Sequence, residues 1–512
     1  MTQQALVRRL QSWLVTGSEL RRLTATVILC LIVGIAGGAL FAFLGPIWAS
    51  AVLAALAGGL IMLRSTQVTF FALVGVICLL PFAALPVPDI GFSPTLLDVI
   101  LLVLLFSWLF RVALKKQKSL IGSPLALPIV VFMVLACASF VIGLSFGSLT
   151  TNLARHFAEL LLSIFLFFLV INNVQTQKHL EQIATVLILA GLAAAVIGIA
   201  LYFLPQDVTI RLLSSLRILR YPAGSDVLRF VEDNPELPLR ATSTSIDPNV
   251  LGGLLVIVIG VTVPQLVAAS PLPMFARWGR WRGVNWLAAV VLAVMLVCLL
   301  LTFSRGAMGG LGAALFVLAL LRYRKLLLFI LLVGLVIWFL PQTQWYVQHF
   351  LEGVRLEDLA TQMRLGEYRD ALVLISRHPW LGVGFAGAPD IDTYIGVSNV
   401  YLLLAEEMGL IGLGVFLSIV VLTIGRILRW LSYLAEAPRL EAVLLGLLAA
   451  LLGALFSGIL DHYFFNINFQ HAVTLFWLVV GLSITTTLLA DDVQMSSTPT
   501  ARAPFKARPD HA

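Results

Sequence analysis

The sequence predicts an all-α polytopic integral membrane protein, and three observations carry that prediction. First, 60% of the 512 residues are hydrophobic and only 12% are charged, a balance far from that of soluble globular chains. The mean hydropathy of +1.01 agrees. Second, apolar runs of about 20 residues recur along the chain, the length a helix needs to cross a hydrocarbon core of roughly 30 Å. Third, lysine is confined: Lys115, Lys116, Lys118, Lys178, Lys325 and Lys506 all fall on one side once the runs are threaded as spans. Arg8, Arg9, Arg21, Arg22, Arg64, the Arg277–Arg282 group, Arg322, Arg324, Arg426, Arg429 and Arg439 fall there too. The positive-inside rule makes that side cytoplasmic.

In order, a basic N-terminal segment (1–22) precedes a membrane domain over 23–490. The apolar run after it is long enough to stay in the membrane rather than be cleaved. Threading gives about fourteen spans (range about 12 to 14). They lie near 23–44, 47–63, 68–85, 96–113, 125–144, 158–173, 183–204, 249–269, 285–303, 306–321, 326–340, 399–424, 441–460 and 471–490. Two corners are tight enough for a single bent hairpin, Gly45-Pro46 and Ser304-Arg305-Gly306. The tail 491–512, with Pro499, Pro504 and Pro509, reads as disordered and cytoplasmic. An even span count then puts both ends inside. Cys30, Cys78, Cys137 and Cys298 each stand alone in an apolar run, which suits buried structural thiols rather than a disulfide framework or a metal site. The net charge of +7 follows from cytoplasmic loops and needs no nucleic acid. No internal repeat is visible, which weighs against repeat-built transporters.

Two long segments, about 205–248 and 341–398, fall on the opposite, outer side and carry arginine without lysine. These arginines either pair within their loops or present planar forks to phosphate oxygens, a task at which lysine is not equivalent. The stretch Arg364–Gly412 is the richest in signals. Leu365, Ala371, Leu372, Leu374 and Ile375 interleave with Arg364, Glu367, Arg369 and Asp370 as in an amphipathic helix. His378-Pro379 ends that helix. Gly382, Gly384 and Gly387 permit a tight turn, and a second helix begins near Ser398-Asn399. Asn399 and Glu406 stand two turns apart on one helical face, while Gly409 and Gly412 suit close helix packing. Upstream, Arg240-Ala-Thr-Ser-Thr-Ser-Ile-Asp247-Pro248-Asn249 reads as a helix start, with Asp247 as N-cap and Pro248 at the first position. Arg240 is left over by that reading. Arg305, in Phe303-Ser304-Arg305-Gly306, either snorkels or binds a ligand.

Taken together these pieces resemble the O-antigen ligase and polymerase superfamily. The resemblance covers roughly residues 240–420. It rests on the RATSTSIDPN stretch, the SRGAMGG corner, Arg364…Tyr368…Ala371…His378-Pro379-Trp380-Leu381-Gly382-Val383-Gly384, and Ser398-Asn399 ahead of Gly409-Leu410-Ile411-Gly412. It implies a GT-C-like glycosyltransferase of the inner, cytoplasmic membrane that works without a metal or other cofactor. Such an enzyme moves glycan from a polyprenyl-pyrophosphate carrier to an acceptor glycan, lipid or protein. The carrier's diphosphate would fall to Arg240, Arg364 and Arg305, and the acceptor side to Asn399 and Glu406. One position departs from the family: its histidine before the amide residue is Ser398 here, and a serine hydroxyl is no base near neutral pH. The replacements are Asp461-His462 at the outer end of a span, His378, or Asp390 and Asp392. Two other functions stay open, a lipid-linked oligosaccharide flippase or other secondary transporter, and a catalytically inactive partner in glycan assembly. Spans mostly free of charge, with charge gathered in two outer loops, favour chemistry at the surface over translocation.

Overall fold

The computed structural model describes residues 19–85, 93–114, 121–277, 280–281, 283–339, 344, 347–348, 351, 355, 359–387 and 396–497. The chain divides into two compact units, Met1–Ser65 and Thr66–Ala512. The described part of the first is one helical stretch, α1 (Glu19–Arg64), broken where Gly45 takes φ 74° ahead of Pro46. Proline has no N–H to lose at the first position of a helix, so the break falls at the Gly-Pro corner that the sequence marks.

The second unit is a helical bundle. It comprises α2 (Thr66–Leu79), α3 (Leu96–Ala113), α4 (Ala126–Gly143), α5 (Thr151–Asn173), α6 (Gln177–Phe203), α7 (Gln206–Ser215) and α8 (Pro248–Val267). It continues with α9 (Trp286–Leu301), α10 (Arg305–Leu321), α11 (Lys325–Phe339), α12 (Leu359–Arg377), α13 (Val400–Leu431), α14 (Pro438–Ser457) and α15 (Gln470–Ser497). Strand structure among the described residues is one short ladder, β1 (Arg280–Trp281) against β2 (Val284–Asn285), and two isolated bridges. Eight helices (α3, α4, α5, α6, α8, α13, α14 and α15) are long and apolar enough to cross a membrane. The protein is therefore an all-α, multi-pass membrane protein. The expected fourteen spans count α1 twice and add the shorter α2, α9, α10 and α11. The last helix runs on to Ser497, and Asp491 bonds Arg426 at 2.8 Å, so the expected boundary at 490 lies inside a helix.

The bundle has a buried centre and a greasy rim. Helices α8, α14 and α15 are buried along most of their length, α3 and α4 along little of it. Exposed Phe106, Leu109 and Val134 on those outer helices form the kind of apolar surface that lipid covers in a membrane protein. Small residues bring α8 and α14 together: a Cβ at Gly260 would lie 2.7 Å from Ala450 N, and one at Gly446 would lie 2.8 Å from Val261 O. Such close approach replaces the hydrophobic drive that helices lack in lipid.

Three helix N-termini meet at one end of this bundle. Asp247 caps α8, with Pro248 at the first position as expected; Ser304 caps α10 and Asn399 caps α13. The connection between α14 and α15 joins them: Val400 N donates to Gly458 O at 2.8 Å, and the Tyr463 ring fills the space a Cβ at Gly253 would need. Helix α12 packs on α13 beside this junction. The amphipathic stretch ends at Arg377, where His378-Pro379 was expected to stop it.

Candidate functional site

A cavity of about 160 Å³ opens at the N-termini of α8 and α10, and all three arginines singled out in the sequence line it: Arg240, Arg305 and Arg364. Each comes from a different element. Arg240 closes a small hairpin in the α7–α8 connection, with Arg240 N donating to Arg229 O at 2.8 Å. Its Nε donates to Thr302 O at 2.8 Å and its Nη2 to Asn249 Oδ1 at 2.7 Å. A guanidinium has five N–H donors, so three are not used by those two bonds. Arg305 is the first residue of α10, where the positive end of the helix dipole disfavours a cation and attracts an anion.

The electrostatics sharpen this. Burial pulls Arg240 below the ordinary arginine range, Asp247, Asp461 and Asp233 push it back, and Arg364 lowers it further. Two guanidiniums that repel each other share one cavity, with Glu232 and Asp233 also in its wall. Those two acidic residues have φ of 53° and 52°, a left-handed backbone that costs a non-glycine residue of order 1 kcal/mol or more and clusters at functional sites.

Ser398 does not line this cavity; it is held against α12, the helix that carries Arg364, by contacts to its backbone. Its N–H donates to Glu367 Oε2 at 2.9 Å, and the Tyr368 hydroxyl lies 3.2 Å from its carbonyl and 3.0 Å from that of Ile459. The next residue, Asn399, makes three bonds: Oδ1 accepts from Tyr401 N and Leu402 N at 2.9 and 3.0 Å, and Nδ2 donates to Ile459 O at 2.8 Å. That is an N-cap and a clamp on the α14–α15 connection. Asp461 and His462 lie in the same connection. Burial raises the Asp461 carboxyl to about 7, with Asp247 adding to the rise while Arg364 and Arg240 hold it down. Burial pushes His462 below the ordinary imidazole value, Glu367 and Asp247 oppose that, and Arg364 adds to it. The Val397 backbone, next to Ser398, partly offsets that fall, and the His462 Nδ1 is buried without a hydrogen-bond partner.

Glu406 does not join the arginines. It lines a second cavity, of about 340 Å³, with Glu407, Phe385, Asn466 and Asn468. Just beyond it α13 is broken, where Gly409 takes φ 69° and ψ 179°. The Pro379–Gly384 turn fills the break: Leu410 N donates to Pro379 O at 2.8 Å, Val383 N to Glu406 O at 2.8 Å and Gly384 N to Glu407 O at 3.0 Å. Ser139 Oγ reaches in from α4 to Leu381 O at 2.8 Å and also to Glu407 O. Gly409 thus serves a backbone break rather than the helix packing expected of it. His378 stacks edge-on to Phe146 at 5.3 Å and lines neither cavity. Asp390 and Asp392 lie outside the described residues. Sequence reasoning did not single out Asn249, Glu232 and Asp233 as cavity residues, nor Glu407, Asn466 and Asn468. The one signal for the last group was an Asn-x-Asn turn between two spans.

The fold and this site define a multi-pass membrane protein with a cationic, partly buried cavity at one end of its bundle. Residues 288–417 match the family model described as O-antigen ligase, and over that stretch the resemblance to the O-antigen ligase superfamily holds. The match includes Arg305, Arg364, Ser398, Asn399 and Glu406; Arg240, Asp461 and His462 lie outside it. No curated protein matches the sequence.

Proposed function

We propose that the protein is a glycosyltransferase of the inner membrane, transferring or polymerising glycan from a polyprenyl-pyrophosphate carrier at the outer face. The observation that carries this reading is the convergence of Arg240, Arg305 and Arg364, from three elements, on one cavity at two helix N-termini. Planar forks and helix ends both favour phosphate oxygens, and the carrier's polyprenyl tail suits the lipid-facing rim. An acceptor hydroxyl attacks the anomeric carbon. A new C–O bond forms, the bond to the carrier's diphosphate breaks, and the leaving group departs with both electrons into the arginine cavity. His462, kept neutral by burial, takes the hydroxyl proton, with Asp461 beside it in the chain. Ser398 keeps a backbone role beside it, and Asn399 is a positioning residue.

The test is transfer in detergent by purified protein with lipid-linked glycan as donor. Arg240→Lys and Arg364→Lys are each expected to slow transfer at least about 10-fold, or about 1.4 kcal/mol in barrier. Near wild-type rates in both variants would show that the guanidinium fork is not what the reaction uses. Bond formation in detergent, where no two sides exist, also excludes pure transport.

A further inference from the structure

The second cavity is a built polar site that the arginine cavity leaves unexplained. Its volume of about 340 Å³ falls within the range of about 300–1,000 Å³ typical of small-molecule sites. Glu407 is 8% exposed, and its Oε2 makes no hydrogen bond, an expensive omission unless something arrives to fill it. Opposite stand two amides from the α14–α15 connection. Asn466 Oδ1 accepts from Asn468 N at 2.8 Å. Phe385 supplies an apolar wall, buttressed by Phe157 at 5.3 Å, and Phe157 in turn stacks on Phe140 at 4.0 Å.

An acidic pair alone could hold a cation, but among the described residues no group of three His, Cys, Asp or Glu side chains comes together as a metal site needs. Carboxyl oxygens, amide groups and an aromatic face instead match a ring bearing several hydroxyls. A sugar's O–H groups donate to carboxyl oxygens, its ring oxygens accept from amide N–H, and its C–H face lies on phenylalanine. One chain segment ties the two cavities together. Asp461 couples electrostatically to Arg240 and Arg364, and Asn466 and Asn468, a few residues on, line the second, with His462 between them in sequence.

We propose that this second cavity is the acceptor subsite, holding a pyranose unit through hydroxyls donated to Glu407 and through the amide of Asn466. This rests on the glycosyltransferase reading above, in which a hydroxyl must be delivered to the donor at the arginine cavity. Asn399 has no part in the subsite; its side chain is consumed by the helix cap.

The experiment is saturation-transfer NMR on the full chain in lipid nanodiscs, probed with the methyl glycosides of glucose, galactose, rhamnose and N-acetylglucosamine. At least one is expected to bind. The signal should fall at least 10-fold in Glu407→Gln and in Asn466→Asp, and persist in Arg364→Lys. Asn466→Asp keeps an oxygen that accepts from Asn468 N and replaces the amide NH2 with a carboxyl oxygen, so it stays informative if Glu407→Gln does not fold. No binding of any glycoside, equal binding in wild type and both variants, or saturable stabilisation by calcium chloride in place of glycosides overturns the proposal. Glycoside binding by protein that fails to bind undecaprenyl pyrophosphate upholds the subsite and refutes the donor reading instead.

Discussion

His462 and Asp461 show how burial sets chemistry one residue at a time. Burial lowers the proton affinity of the His462 imidazole and so favours its neutral form, the form a general base needs. His462→Ala is expected to slow transfer about 100-fold or more. The acid limb of kcat/KM in the wild type should fall below the ordinary histidine value of about 6.5; a limb above it, or an unaffected His462→Ala, contradicts the assignment. Asp461 gives a stability reading of the same environment. Its folded-state value of about 7 lies above the unfolded one, so the folded protein binds that proton more tightly. The associated stability is present below about pH 3.9 and is lost as pH rises through 7. Asp461→Asn keeps the neutral form at all pH, so its gain in Tm should be larger at pH 8 than at pH 5.

At the scale of elements, the break in α13 and the turn that fills it form one unit. Gly409 has φ 69° and ψ 179°, a region that only glycine occupies readily, and a Cβ there would run into Trp380 O. Gly409→Ala is expected to cost about 1–3 kcal/mol from the backbone alone and more from the clash. This would be read as a drop in Tm, and an unchanged Tm would show that the turn yields freely. Helix ends were legible in the sequence because each is written in adjacent residues: Asp247-Pro248, Asn399 and His378-Pro379. The break was not, because a glycine within an apolar run reads the same whether it packs against a neighbouring helix or bends its own. What decides is the Pro379–Gly384 turn, which arrives from elsewhere in the chain. The same blindness linked Glu406 to Asn399, since both suit one helical face while their side chains serve different places.

For the whole molecule, hydropathy made the helical membrane architecture plain, because lipid demands long apolar helices that satisfy their own backbone. It left the number of crossings less sharp, since α2, α9 and α10 are apolar but short. Arg240 could be singled out as the residue its helix cap left over, Arg305 by its place at a corner between two spans, and Arg364 through the resemblance. Their meeting was not readable, because it depends on how α8, α10 and α12 are brought to one end of the bundle. That meeting is the centre of the account, and equilibrium binding of undecaprenyl pyrophosphate to the purified protein in nanodiscs tests it most directly. Saturable binding is predicted for the wild type, weakened at least 10-fold by Arg240→Lys, Arg305→Lys or Arg364→Lys; affinity that is absent, or that all three variants retain, contradicts it.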